Sequence, residues 1–458
     1  MSRTALAVLL GSVAGVLAAT QPLADSDMWW HLATGRETIA NGLVRTDIFS
    51  WTVRGAPVSA DQWLGQVLMY GAYALTGWWG VGLLRVVSVV ALVGAVSFAA
   101  SGARLARPLA VVLATMPALL LTRPVWVDRP ELFGFVFFAV LLVLLRVGRS
   151  GSSWALVAAA GLIAVWANVH GSFALGVVLT VLVCAEGALR DPARRRTYLL
   201  CAAASVVASL VTPAGLGSWT APGIHFFSPP RDIQEWNVVD VRTPLGVGYV
   251  VTLGLVIACA FLGPRLALRE LVVLAPVAFL SLTAARQAPL LAIAAAPIFA
   301  ERANALLVRF LGATRAASEG RRLRRADEVA CALAAALFIL SLGMAPQSPD
   351  ERAYPVAAVA SHSIPTGDGT LARYEWGGWL IWQGVPVFVD GRLTPYAGGV
   401  LADYRRIIAA APGWRDAIAR RGVRSLLVVP TDAVAIRALE LGWAVRSRSN
   451  DFILIAVP

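Results

Sequence analysis

Lysine is missing from this chain, so all 39 basic residues are arginine. With the heavy use of Ala, Val, Gly and Leu this marks a GC-rich coding sequence, and no functional conclusion rests on it. Charge of either sign is scarce, at 14% of 458 residues, against roughly 25% in a soluble domain. That shortage, with 58% hydrophobic residues and a mean hydropathy of +0.70, excludes a soluble single domain and a disordered chain. Cysteine is sparse as well. Cys184, Cys201, Cys259 and Cys331 stand in apolar runs with neither metal-ligand spacing nor a disulfide framework, and read as small core residues. No internal repeat recurs at a fixed period.

What the chain has in abundance is apolar runs. Windows near the ~17–25 residues that cross a bilayer recur over the first 345 positions. They fall near 4–20, 79–101, 108–122, 131–146, 153–169, 171–189, 198–213, 244–263, 270–284, 288–305 and 327–345. The first reads as a retained helix, because Ala24-Asp25 is a poor signal-peptide cleavage site and the chain stays apolar beyond it. Residues 62–77 are amphipathic enough to lie at the membrane interface. After residue 345 the long windows stop. Short runs at Val385–Val389, Ser425–Val429 and Phe452–Val457 alternate with polar helical stretches near 400–421 and 431–441. The expectation is an α-helical polytopic membrane protein of about eleven spans, residues 1–345 with an outer loop at 21–78, followed by a small α/β domain over 346–458.

The arginines orient it. They crowd alternate connections: Arg3, then Arg104 and Arg107, Arg146 and Arg149, Arg190 with Arg194 to Arg196, Arg265 and Arg269, and a cluster from Arg302 to Arg325. These connections carry a net charge equal to the whole formal +12. By the positive-inside rule the N-terminus is cytoplasmic and the C-terminal domain extracytoplasmic. The basicity is thus an orientation signal, and a nucleic-acid partner is not expected.

The opposite connections collect the chemistry-bearing residues. Asp25, Asp27, His31, Arg36, Asp47 and Asp61 lie in the first. Arg123, Asp128, Arg129 and Glu131 lie in the second, His170 after Asn168 in a tight turn, Asp232, Glu235 and Trp236 in a long loop, and Arg286 before the tenth span. His362 falls in the C-terminal domain. Asp25 and Asp27, two residues apart, suit a divalent cation such as Mg²⁺ or Mn²⁺, whose preferred ligands are oxygens. Either carboxylate would also serve as a general base on an acceptor hydroxyl. The plainer reading is that one of them caps a helix beginning near residue 28, with Trp29 and Trp30 in an interfacial aromatic belt.

The run Asp27-Met28-Trp29-Trp30-His31, followed by a helix to the turn Ile39-Ala40-Asn41-Gly42, resembles the first outer loop of the GT-C glycosyltransferases, which take sugars from polyprenyl-phosphate donors. It is most similar to the catalytic subunit of oligosaccharyltransferase. Tyr374-Glu375-Trp376-Gly377-Gly378-Trp379 stands where that subunit carries its W-W-D-Y-G motif. The chain departs from the pattern in two places. The arginine soon after the H/N position is out of register, with Arg36 nearest, and Glu375 replaces the motif Asp that helps recognise the acceptor peptide. Asp390-Gly391-Arg392 and the stretch 373–396 look like those of many uncharacterised bacterial membrane proteins.

The resemblance implies an inverting transfer on the outer face of the cell membrane, to an envelope glycan, lipid or protein. Asp27 would be base or metal ligand with Asp25 as its partner. Arg286 would hold the leaving phosphate, because guanidinium grips phosphate bidentately, with Arg123 and Arg129 as second choices that suit a salt bridge with Asp128 or Glu131 equally well. Glu235 and Trp236 would add a metal ligand and a sugar-stacking ring, and His170 a further polar contact. Tyr374, Trp376, Trp379 and Trp382 suit either an acceptor surface or, from the 376/379 spacing, ordinary packing onto the membrane part, and Arg392 would clamp a carboxylate or phosphate. Two rival readings are a lipid-precursor flippase and a non-catalytic assembly partner. A flippase would place its charges near the bilayer midplane, whereas Arg85 and Glu186 lie close to span ends.

Overall fold

Every apolar window forms a helix in the computed structural model, which describes all residues except 103–106, 229–232, 262–263, 312–319, 362, 366, 393 and 397. Arg104, Asp232 and His362 therefore lie outside the described residues. Among those described, seven helices are long and apolar enough to cross a membrane: Trp78–Ala100, Pro108–Val125, Pro130–Arg149, Phe173–Arg190, Pro244–Phe261, Ala285–Phe310 and Arg324–Met344. Arg3–Ala19 and Ser153–Trp166 are apolar but shorter. Arg195–Ala208 and Leu268–Thr283 have 14 and 16 residues. At 1.5 Å per residue such helices fall short of the roughly 30 Å hydrocarbon core. The chain is a multi-pass membrane protein, and the count of eleven spans stays an expectation.

The chain divides into two units, Met1–Gln21 with Trp79–Gln347, and Pro22–Trp78 with Ser348–Pro458. In the first, Ala288–Leu311 packs on Pro108–Thr122, Arg3–Ala19 on Gly320–Met344, and Phe173–Arg190 on Arg195–Ala208. Phe138, Leu141, Trp166, Phe173, Leu179 and Leu291 are among its fully buried side chains. Leu113, Leu120, Val157, Val251, Phe279 and Ile339 point outward and stay exposed, as expected of helices whose outer faces meet lipid. Two buried acids are ion-paired in this unit. Arg85 meets Asp128 at 2.9 Å, and Glu186 takes Arg190 at 2.8 Å and Arg149 at 3.2 Å.

The second unit is built from two distant stretches of chain. Its sheet comprises β1 (Thr370–Ala372), β2 (Ser425–Val428), β3 (Val445–Arg448) and β4 (Ile453–Ala456), in the order β1-β2-β4-β3. The β1–β2 pair is parallel, with Leu371 opposite Leu426, and the other two pairs are antiparallel. The helices Val400–Ile408, Trp414–Arg421 and Ala433–Glu440 supply Ile407, Ile418 and Val434 to a core shared with Leu371, Leu426, Ile453 and Ile455.

Three details of the expected α/β pattern change. Val385–Val389 is not a strand, and makes one isolated bridge from Val387 to Ser50, because Pro386 has no N–H to extend a ladder. The single helix expected over 400–421 is broken at Ala410, whose φ is 48°, with Pro412 and Gly413 following. Thr370–Ala372 and Val445–Arg448 pair as strands that hydropathy does not mark.

Segment 22–78 is sewn to this core by its backbone. Trp51 N–H donates to Val387 O at 3.0 Å, Val387 N–H to Phe49 O at 3.1 Å, and Asp350 N–H to Leu23 O at 2.8 Å. Trp51 packs on the core beside Phe388, with ring centroids 5.2 Å apart.

Candidate functional site

In the second unit three segments converge where glycines let them. The helix Met28–Asn41 starts at N-cap Asp27, whose side chain makes no capping bond. The cap comes from Asp25 instead. Its Oδ1 accepts from the N–H of Asp27 at 2.8 Å and of Met28 at 3.3 Å. The two carboxylates are thereby separated in role: one is tied to the helix N-terminus, and the other is turned toward the Asp390-Gly391-Arg392 segment. A Cβ built at Gly391 would lie 1.9 Å from Asp27 Oδ1 and 3.0 Å from Trp30 Nε1. A Cβ at Gly378 would lie 2.5 Å from Ser26 O. Neither approach tolerates a side chain.

Around Asp27 the aromatic residues are mostly packed and spent. His31 is 3% exposed, stacks on Trp30 with ring centroids 3.6 Å apart, and sets Nδ1 3.3 Å from Gln66 Nε2. Trp29 is fully buried and donates to Tyr354 OH at 2.9 Å. Trp376 donates to Ala353 O at 2.7 Å and Trp379 to Glu351 Oε1 at 3.2 Å, both buried. Tyr374 N–H donates to Tyr404 OH. Glu375 is exposed and pairs with Arg373 at 3.4 Å. The expected acceptor surface of Tyr374, Trp376 and Trp379 is therefore largely interior packing. Trp382 is half-buried and lies under the exposed Arg36, whose guanidinium carbon is 4.7 Å from its ring centroid.

Arg392 is also placed otherwise than as a ligand clamp. Its guanidinium forks onto Asp390 at 2.8 and 2.6 Å, reaches Asp47 at 2.9 Å and lies 5.1 Å from the centroid of Phe49. Tyr396 OH donates to the same Asp390 carboxylate. Burial lowers the guanidinium's affinity for its proton, but Asp390 and Asp47 outweigh it and hold Arg392 above its ordinary range. Burial and then Asp390 push the Tyr396 phenol well up. This cluster fastens the 45–58 loop to the C-terminal stretch.

The first unit holds the other group of candidates. Arg286 meets Glu131 at 2.6 Å and Glu235 at 3.1 Å, with its guanidinium carbon 4.4 Å from the centroid of Trp236. Arg129 acts electrostatically on both Glu131 and Arg286. Arg286 and Glu131 are largely buried, and the Glu235 side chain is 37% exposed. His170 Nδ1 accepts from Ser172 N–H at 3.2 Å and lies 2.8 Å from Ser172 Oγ. An acceptor at Nδ1 puts the ring proton on Nε2. Asn168 donates to Ala164 O and Val211 O, both at 2.8 Å, and shapes the turn. Arg123 is exposed at the end of Pro108–Thr122. Asp128 and Glu131 take Arg85 and Arg286 as their ion-pair partners.

Glu131 as partner of Arg286, Asp47 and Asp390 as partners of Arg392, and the role of Gly391 cannot be read from the sequence. The short Asp-Gly-Arg run is the one signal that pointed to the last. Among the described residues no three His, Cys, Asp or Glu side chains group as a metal site.

The fold, a bundle of apolar helices with a second unit that carries a small C-terminal sheet, is shared with solved structures at low sequence identity. The oligosaccharyltransferase of Archaeoglobus fulgidus, tethered to an acceptor peptide, superposes with a TM-score of 0.57 at 12% identity, over 92% of this chain and 68% of that one. AglB from the same organism, in complex with an inhibitory peptide and a dolichol-phosphate, gives 0.55 at 11% identity, over 92% and 69%. ArnT from Cupriavidus metallidurans gives 0.54 at 16% identity, over 97% of this chain and 96% of that one. No protein-family model matches the chain, and no curated protein matches it.

Proposed function

We propose that this chain is a bacterial membrane glycosyltransferase, moving a sugar from a polyprenyl-phosphate donor to an acceptor in the cell envelope on the extracytoplasmic side. The observation that carries the reading is the Asp27 carboxylate. It stands at a helix start that another acid caps, and is turned into a glycine-lined approach within a fold shared with lipid-linked sugar transferases. Asp27 takes the proton of the acceptor hydroxyl as its oxygen bonds to the anomeric carbon. The bond from that carbon to the donor phosphate breaks, and the lipid phosphate leaves with the electron pair. Direct attack inverts the anomeric centre.

Within the first unit, Arg286, with Arg129 beside it, is suited to bind a phosphate through charge-assisted hydrogen bonds. Glu235 is the partner that yields, being the more exposed carboxylate on the longer contact. In the same unit Trp236 offers a ring on which a sugar can stack, His170 a donor at Nε2, and Arg123 an exposed positive charge. As the alternative to the base role, Asp27 would hold Mg²⁺ or Mn²⁺ together with phosphate oxygens and water, the usual way such ions bind with one or two carboxylates. The ion would supply charge neutralisation for the leaving phosphate. Asp25 is occupied by its cap.

The test uses the full chain in lipid nanodiscs, supplied with undecaprenyl phosphate linked to radiolabelled mannose, glucose or N-acetylglucosamine. Consumption of one donor that is lost in Asp27→Asn is the expected result. If no donor is consumed while lipid-linked sugar crosses the bilayer of proteoliposomes, the chain is a flippase and the transferase reading fails.

A further inference from the structure

Three arginines of the second unit meet on one buried carboxylate. Asp403, in the first turn of Val400–Ile408, is 5% exposed. Its Oδ2 accepts from Arg421 Nε at 2.7 Å, and its Oδ1 from Arg420 Nη2 at 2.6 Å and Arg406 Nη1 at 3.2 Å. Arg421 alone neutralises the acid, and its side chain is the least exposed of the three at 23%, against 43% for Arg406 and 52% for Arg420. Because Arg406 and Arg420 share one oxygen, their donating nitrogens stand no further apart than those two hydrogen bonds laid end to end. Each spends one of its five N–H donors on Asp403, and neither makes another hydrogen bond among the described residues. The surroundings add charge of the same sign. Residues 400–424 carry six arginines against two acids, Asp403 and Asp416. Asp416 Oδ2 and Arg406 Cδ both lie 3.8 Å from where a side chain at Gly413 would begin, but Asp416 forms no ion pair among the described residues.

We propose that Arg406 and Arg420, held by Asp403, form a binding site for a phosphate group presented from the water phase, as on a phosphorylated glycan. Two guanidiniums fixed on one carboxylate oxygen repel each other. An oxyanion placed over both relieves that repulsion and accepts charge-assisted hydrogen bonds from each. Asp403 has already ordered the two side chains, so little freedom is left to lose on binding. A phosphate monoester brings three acceptor oxygens and close to two negative charges, where a carboxylate brings two oxygens and one charge. Lipid headgroups are the other source of phosphate. Helices that settle on a bilayer combine basic residues with an exposed apolar face, and no large apolar residue between positions 400 and 424 is exposed. The face carrying Arg406 and Arg420 is therefore built for an aqueous anion. The site uses none of the residues assigned to sugar transfer, and it stands whether or not that reading holds.

Phenylglyoxal reacts with exposed guanidinium groups, and peptide mass spectrometry reads each arginine separately. The full chain in phosphatidylcholine nanodiscs is labelled in chloride, in inorganic phosphate and in glucose 1-phosphate at matched ionic strength. Either phosphate at about 50 mM, on a site with a dissociation constant of about 5 mM, should slow labelling of Arg406 and Arg420 about tenfold. Arg437, exposed in the same unit and paired with Glu440 at 2.7 Å, is the control and should keep its rate. In Arg420→Gln the acid retains Arg421 and Arg406, and the protection of Arg406 should fall to that of Arg437. Arg406→Gln, read at Arg420, repeats the test from the other side, and an unchanged Arg437 rate checks the fold of each variant. A further set in phosphatidylglycerol discs without added phosphate tests the lipid source. Four outcomes overturn the proposal: equal protection at Arg437, no protection by glucose 1-phosphate, protection only in the phosphatidylglycerol discs, or protection that survives in both variants.

Discussion

Substituting Asp25 and Asp27 one at a time separates a structural acid from a chemical one. Asp25 Oδ1 accepts two backbone N–H groups at the start of Met28–Asn41. Losing an N-cap of this kind costs about 1 kcal/mol, within a range of roughly 0.5–2. Asp25→Ala should therefore lower the unfolding midpoint by about 2–4 °C for a unit of this size. Asparagine caps about as well as aspartate, so Asp25→Asn should match the wild type in stability and keep donor turnover within about threefold, under ~0.7 kcal/mol of barrier. Asp27 makes no capping bond, so Asp27→Asn leaves the cap in place. If it is the general base, its loss should slow turnover by about 10²–10⁴-fold, or roughly 3–5 kcal/mol of barrier. Radiolabelled donor turnover in nanodiscs gives the rates, and tryptophan fluorescence against temperature gives the midpoints. A drop in Asp25→Asn as deep as in Asp27→Asn would refute the division of labour, because then the charge of Asp25 matters and not its cap. Wild-type turnover in Asp27→Asn would refute the base.

Three further outcomes are expected. Arg286→Lys keeps the charge and loses the fork, so the donor KM should rise about tenfold, the loss of one charge-assisted hydrogen bond of ~1.5 kcal/mol; Glu235→Gln should lower it, and an unmoved KM in both would take Arg286 out of phosphate binding. Asp403 is buried and meets Arg406, Arg420 and Arg421 at 3.2, 2.6 and 2.7 Å; burial raises its pKa, but the hydrogen bonds from Arg421 and Arg420 outweigh that and hold it below the ordinary value. Its stabilisation is present above the usual carboxylate range and lost as pH falls through the folded pKa, so Asp403→Asn should cost about 1–3 kcal/mol at neutral pH, with a deficit that closes in acid; equal urea midpoints at pH 7 would contradict this. Burial pushes Asp61 up to about 6 from its ordinary 3.8, against hydrogen bonds from its own backbone and Ser59. The folded state thus holds that proton better than the unfolded chain, and stability falls as pH rises from about 4 through 6. Asp61→Asn should be more stable than the wild type at pH 7.5 and indistinguishable from it near pH 4, as thermal unfolding across that range would show.

The apolar runs were legible because length and composition report them directly, and each became a helix. The pattern could not say which of them span, since Arg195–Ala208 reads as apolar as a spanning helix over part of its length yet closes after 14 residues. The second unit was illegible for a different reason. Its halves are joined by contacts such as Arg392 to Asp47 and Trp51 to Val387, more than 300 positions apart in the chain, and no periodicity records a pairing of that kind. Ion-pair partners are hidden from the sequence on the same ground. Asp128 and Arg129 are neighbours in sequence, but Asp128 finds Arg85 on another helix.

The glycine positions mark the limit most sharply. A glycine admits a neighbour by lacking a side chain, and the sequence at residue 391 says nothing of what arrives there. For function, Asp25 and Asp27 carry the consequence. Two acids two residues apart before a helix are equally suited to a cap, to a cation or to a base, and no property of the residues chooses among these roles. The backbone chooses: Asp25 lies just upstream of the first turn, where its Oδ1 reaches two N–H groups, so the helix start no longer needs Asp27. The other choice is made by the bare Cα of Gly391, which lets the Asp27 carboxylate lie close to the same position as the Trp30 indole N–H. The chemistry assigned to Asp27 therefore depends on two residues that take no part in it.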